Sequence, residues 1–347
     1  MKCNRSVFQC VLVSALIVPG LALISQSTEN QSSSSSRENR DSVVDPARLH
    51  DPAIWHEPGS IAQLNLLYGQ GGKELQPAPP FKFDSEDPSG TNPKFNVIDA
   101  HGTKWRVKLG DEARPEVTAS RLLWAVGYFA DEDYLVDTAR VENLKLTRGE
   151  DLVADGNIVE ARFEKKPDGD KKIGIWRWKD NPFTGTKEFN GLRVMMAVMN
   201  NWDLKDVNNA VYEDSNSRKD LFLVSDVGAT FGTNGLSWSK GRSRGDVHTF
   251  RQSKFIKRKT DTEVDFATPA APTPIEAANV KKFAMRRDLE WIGRKIPIAD
   301  ARWIGGLLKQ LSHQQLVDAF RAGQFPPEDV NEYVSIVESR INELAAL

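Results

Sequence analysis

The chain has 347 residues, 39% hydrophobic and 27% charged, which fits a globular protein of one large or two smaller lobes. A formal net charge of −2 gives no reason to expect a nucleic-acid partner, and the run KFIKRK (254–259) reads as a solvated stretch. Both cysteines, Cys3 and Cys10, lie in the first segment, so disulfides and thiol chemistry are not invoked for a processed chain.

That first segment joins a positive start, MKCNR, to the apolar run VFQCVLVSALIVPGLALIS (7–25). It reads as an export signal over residues 1–27, with cleavage near Ser25–Ser27. An uncleaved anchor is the alternative, since about 18 apolar residues can span a bilayer; it would be the chain's sole membrane contact. The expected location is therefore periplasmic, extracellular or the secretory lumen. STENQSSSSSRENRDS (27–42) cannot bury a core and predicts a disordered spacer over 28–50.

From about residue 80 to 180 strands are predicted. KFNVID and TKWRVKLG alternate apolar and polar side chains around AHG, as a hairpin does. RPEVTASRLLWAVGY (114–128) has helical spacing, with Pro115 in its first turn and Gly127 at its end. YLVDTARV (134–141), NIVEARFEK (157–165) and IGIWRW (173–178) read as further strands, Trp176 and Trp178 sharing one core face. KEFNGLRVMMAVMNN (187–201) then predicts a helix with core methionines. Several helices follow residue 275, among them one with a capping box at Ser312 and Gln315 and a stop at Gly323. The fold class is α+β in two parts: a β-rich lobe over 51–185 and a mainly helical lobe over 186–347.

Chemistry concentrates in NNWDLKDVNNAVY (200–212) and LFLVSDVGATFG (221–232). Asp203, Lys205 and Asn208 stand at relative positions 0, +2 and +5, and an apolar strand delivers Asp226 into a Gly-containing turn. Phosphoryl transfer uses such parts. One carboxylate orients the nucleophile and takes its proton, a second with an amide oxygen holds a hard cation, and a lysine adds charge at the transferring group.

Asp-Leu-Lys-x-x-Asn (203–208) resembles the catalytic loop of protein kinases, and Asp-Val-Gly (226–228) resembles their Asp-Phe-Gly metal site. Lys108, in WRVKLG, is similar to their phosphate-binding lysine, with Glu116 on the next helix as its partner. SGTNPKF (89–95), carrying Gly90 and Lys94, resembles the nucleotide loop of HipA-like kinases and of the secretory-pathway (Golgi casein kinase-like) kinases. SDVGATFG (225–232) looks like the latter family's Asp-x-Gly-x-x-Phe-Gly.

The resemblance implies a two-lobed protein-kinase-like fold and an atypical phosphotransferase that uses ATP and Mg²⁺ or Mn²⁺. It implies Gly90, Lys94, Lys108 and Glu116 as ATP-binding residues and Asn208 and Asp226 as metal ligands. Asp203 would position the acceptor hydroxyl and Lys205 would stabilise the transferring group. The acceptor, whether protein, lipid or glycan, stays open. Nucleotidyl transfer on the same scaffold and a non-catalytic exported binding or envelope protein are the alternatives. The sequence also departs from the pattern. Asn201-Trp202 replace the usual His-Arg, the interval from Asn208 to Asp226 is long, Glu112 rivals Glu116 for Lys108, and no Ala-Pro-Glu marks a protein-substrate platform.

Each residue has a plainer reading as well: Asp203 and Asn208 as cap or turn residues, Lys108 as a solvated strand lysine, Glu116 as a helix-dipole residue, Gly90 and Lys94 as hairpin residues. Other site types fit worse. The five histidines show no zinc spacing, GLSWSKG (235–241) lacks a nucleophile elbow, and GQGGKEL (69–75) lacks Walker spacing.

Overall fold

The computed structural model describes residues 42–88, 92–165, 171–232, 244–268, 284 and 287–347. The expected export signal and most of the Ser-rich spacer therefore lie outside the described residues, as does Gly90. Within the described residues no helix is long and apolar enough to cross a membrane.

The fold is mixed α+β. Strands β1 (Phe81–Asp87), β2 (Lys94–Ile98), β3 (Lys104–Lys108), β4 (Asp133–Glu142), β5 (Val153–Ala154) and β6 (Asn157–Lys165) form one sheet in the order β3-β2-β1-β4-β6-β5. A further β3–β6 pairing closes this sheet on itself. Closure gives it an inside, and the period-2 alternation fills that inside with Phe81, Phe95, Val97, Trp105, Val107, Ala161 and Phe163. The hairpin forms as its spacing predicts, with Ile98 opposite Lys104. Its turn is closed by Asp99, whose carboxylate accepts the N–H of His101 and Thr103 and, at 2.9 Å, the Trp105 indole N–H.

The same alternation sends the charged residues outward. Register pairs Lys108 with Arg162 and Arg106 with Glu164 across β3 and β6, and Lys94 with Lys108 across β2 and β3. Helix α1 (Ala113–Ala125) packs over this charged face. It starts near Pro115, as expected, and ends before Gly127, whose φ of +92° breaks the helical run. The other side of α1 places Ala119, Leu122 and Leu123 in a second, larger apolar core.

That larger core is built around α2 (Lys187–Val198), α3 (Val247–Gln252), α4 (Ile298–Leu308), α5 (His313–Ala322) and α6 (Pro327–Ala345). Met195, Met196 and Met199 are buried in it. Ser312 and Gln315 form the predicted capping box of α5.

Three local expectations need correction. The helix expected over 187–201 stops at Val198, because Asn200 takes a left-handed turn at φ 53° and Asn201 bonds back to the Met196 carbonyl. The strand expected over 173–178 ends early: β7 covers Lys171–Gly174. Trp176 and Trp178 leave the ladder because the Trp176 indole donates to the Leu223 carbonyl and the Trp178 N–H to Asp206, and the two rings pack edge to face in the core at 4.8 Å. Residues 42–50, expected in the disordered spacer, are engaged: the Val44 N–H reaches the Ile175 carbonyl and the His50 N–H reaches Asp220.

Strands also persist beyond residue 186. β7, β8 (Asn209–Glu213) and β9 (Asp220–Val224) form one small sheet, and β10 (Ile256–Lys259), β11 (Glu263–Phe266) and β12 (Ile296–Pro297) another. β7 thus pairs with a strand on the far side of the expected boundary at 185.

Candidate functional site

The site grows from the charged face of β3. Lys108 is 1% exposed, and its ammonium nitrogen lies 2.8 Å from Glu116, 2.8 Å from Glu112 and 3.2 Å from Asp226. Both glutamates that could pair with Lys108 do so: Glu112 at the N-cap of α1 and Glu116 one turn further on. Glu116 also meets Arg162 at 3.1 Å, and Arg162 in turn meets Glu164 at 2.6 Å.

Asp226 follows β9, whose register against β8 is continuous from Asn209 to Glu213. The Asn208 carbonyl accepts the N–H of Ser225 at 2.9 Å and of Asp226 at 3.1 Å. Asn208 closes the short 3₁₀ turn Asp206–Asn208, and its amide donates to the Asp203 carbonyl at 2.6 Å. Asp203 receives Lys205 at 2.8 Å, and its own N–H is held by the Asn201 side chain. Two more backbone bonds, Trp202 to Ala229 and Phe231 to Met199, fasten the segment before Asp203 to the one after Asp226. Leu204 and Val227 are buried and anchor both segments in the large core.

The sequence-selected residues therefore group as follows. Lys108, Glu116 and Asp226 touch; Asp203, Lys205 and Asn208 touch; the Asn208–Asp226 backbone bond joins the two groups. Lys94 stands opposite Lys108 on β2 and its charge falls on Asp226. Gly90 lies outside the described residues. Asp206 and Asn209 serve local structure, binding the backbone of Trp178 and Trp176.

Electrostatics follow from burial and neighbours. Burial alone would raise Asp226, yet Lys108, Lys94 and Arg162 outweigh it and hold the carboxyl down at about 2. Burial would lower Lys108, but Glu116, Asp226 and Glu112 keep it charged and raised. Glu116 goes the other way: burial pushes it up to about 7 against Arg162 and Lys108. Between its ordinary 4.5 and about 7 the folded protein keeps a proton that the unfolded chain has released. That contribution to stability is complete below pH 4.5 and is lost as pH rises through 7. Asp226 acts in a separate, acidic window, its contribution present above 3.8 and lost as pH falls through 2. Urea unfolding at pH 5 and at pH 8 is expected to show this decline in the parent protein and a much flatter response in Glu116→Gln.

The donor set suits a hard cation. One Asp226 oxygen takes Lys108 while the other makes no hydrogen bond among the described residues, and the Asn208 amide is turned so that its NH₂ is used and its oxygen remains. Among the described residues no three His, Cys, Asp or Glu side chains converge on a metal position. A cation held by Asn208 and Asp226 would thus take the rest of its shell from phosphates and water.

Sequence reasoning missed several residues here. Arg162 is signalled faintly by EARFEK, where charged residues alternate with core residues on a strand. Asn92 and Arg244, which meet Glu112 at 2.5 and 2.7 Å, carry no local signal, because their partner lies far away in the chain.

No family model matches the chain and no curated protein matches it. Among solved structures, it is similar to a proinflammatory kinase of Helicobacter pylori, CtkA, with 11% identity and a TM-score of 0.43, over 77% of this chain and 97% of that one.

Proposed function

We propose that this chain is an ATP- and divalent-metal-dependent phosphotransferase with the two-lobed arrangement of an atypical kinase, acting in an extracytoplasmic compartment. The observation that carries the reading is the double engagement of Asp226. Its carboxylate meets Lys108 at 3.2 Å while its backbone bonds Asn208 at 3.1 Å, so Asp226 is the residue at which the buried lysine and the Asp203–Asn208 segment come together.

In this reading Lys108, braced by Glu116, neutralises the α- and β-phosphates, and Lys94 adds charge from the neighbouring strand. Asn208 and Asp226 would hold Mg²⁺ or Mn²⁺, which when bound offsets charge on the phosphates. Asp203 orients an acceptor hydroxyl on a protein, lipid or glycan and takes its proton as the oxygen attacks the γ-phosphorus. The bond from that phosphorus to the bridging oxygen breaks, and ADP leaves with the electron pair. Lys205, 2.8 Å from Asp203, places positive charge beside the transferring group.

The test is thermal shift with ATP and Mg²⁺ or Mn²⁺ on the parent and on Asp226→Asn. The parent is expected to be stabilised by ATP and metal together, and the variant to lose that metal-dependent increment. Equal stabilisation of both proteins would overturn the assignment. Mass analysis of products then separates addition of a phosphoryl group from addition of a nucleotidyl group.

A further inference from the structure

Lys108 has more carboxylates than a nucleotide-binding lysine can keep. Glu112, Glu116 and Asp226 all lie within 3.2 Å of its nitrogen. Adding the polyanionic phosphates of a nucleotide to that group requires one carboxylate to give way. Glu116 is held: it is 1% exposed and fixed on its other oxygen by Arg162 at 3.1 Å. Asp226 is fixed through its backbone to Asn208. Glu112 is different. The Asp226 side chain is the more exposed of the two, at 36% against 12%, but Asp226 is a metal donor in the kinase reading. Glu112 sits at the N-cap of α1 and makes no capping hydrogen bond there. It also has a second cation, Arg244, at 2.7 Å.

Glu112 joins the elements that would surround a nucleotide. One of its oxygens is shared by Lys108 and by the Asn92 amide of the expected nucleotide loop, at 2.8 and 2.5 Å. Its other oxygen takes Arg244, whose guanidinium stacks on Trp202 at 5.3 Å. Trp202 directly precedes Asp203, where kinases of the usual pattern place an arginine. Gly228 packs against the Glu112 stem so closely that a Cβ there would meet the Glu112 Cβ at 2.6 Å.

We infer that Glu112 is a positioning residue of the nucleotide subsite: it occupies Lys108 and tethers Asn92 until nucleotide phosphates displace it, and Arg244 then retains it. The inference rests on the kinase reading. It assigns the two cations opposite roles. Lys108 favours the occupied arrangement and Arg244 the released one, so the apparent nucleotide affinity is reduced by the fraction of molecules in which Lys108 is taken.

The experiment is calorimetric titration with ATP and Mg²⁺ of the full chain and of Glu112→Gln, Arg244→Gln and the double variant. Melting without nucleotide checks that each is folded. Glu112→Gln is expected to bind about tenfold tighter and Arg244→Gln severalfold weaker, with the double variant resembling Glu112→Gln. A purely structural glutamate would give weaker binding in every variant. If the parent binds ATP while Glu112→Gln binds it equally or more weakly, the displacement role fails and the kinase reading stands. If neither the parent nor any variant binds ATP, both fail together.

Discussion

Asp203→Asn is expected to lower phosphoryl transfer by about 10²–10⁴-fold, the usual contribution of a positioned proton acceptor, while leaving ATP affinity nearly unchanged. The separation of the two effects follows from geometry. Asp203 contributes nothing to the Lys108 cluster; its carboxylate is paired with Lys205 at 2.8 Å. Its backbone is fixed independently of its charge, by the Asn201 side chain on its N–H and the Asn208 amide on its carbonyl. An asparagine can therefore occupy the same position without shifting Asn208 or Asp226. Single-turnover transfer measured beside an ATP titration resolves the outcome. Loss of turnover with retained affinity identifies a group acting in the transition state rather than in ground-state binding. Full turnover in Asp203→Asn would remove Asp203 from the chemistry and leave only its pairing with Lys205.

What the sequence made legible follows the range of the interactions. The hairpin around Asp99, the start and end of α1 and the capping box at Ser312 are set by residues within a few positions of each other, and each formed where its pattern pointed. The Asp203–Asn208 turn and the Asp226 strand end were equally local. Their meeting is implied by the resemblance to the order of protein-kinase motifs and not by spacing. Less visible was the charged outer face of the closed sheet. Lys108 opposite Arg162 depends on the β3–β6 register, and no periodicity within either strand fixes that register. The role of Glu112 was harder still, since Asn92, Lys108 and Arg244 reach it from three separate stretches. The strand expected through Trp178 failed for a related reason: the Leu223 carbonyl takes the Trp176 indole N–H, and the Asp206 carboxylate takes the Trp178 backbone N–H that a ladder would have used.

Arg162→Met is expected to cost about 3–5 kcal/mol of folding stability, the penalty for removing one partner from a buried ionic group. Arg162 is 4% exposed, and its guanidinium faces Glu116 at 3.1 Å, Glu164 at 2.6 Å and Asp133 at 3.8 Å. Burial opposes its charge, yet these carboxylates hold its pKa above the ordinary arginine value. Methionine fills much of the same volume, so the loss is electrostatic rather than a cavity. Without the guanidinium, Glu116 and Asp133, both already raised by burial, rise further and fold best when protonated. The defect should therefore be smaller at pH 5 than at pH 8, because acids raised in the folded state give up their stability as pH increases. Arg258→Met supplies the contrast: its 2.9 Å pair with Asp265 involves a side chain 60% exposed, and such pairs contribute about 1 kcal/mol or less. Urea unfolding of both variants at the two pH values decides the matter. Equal, pH-independent losses would mean that water reaches the charged face of β3 and β6, and Lys108 would then need no buried partner to stay charged.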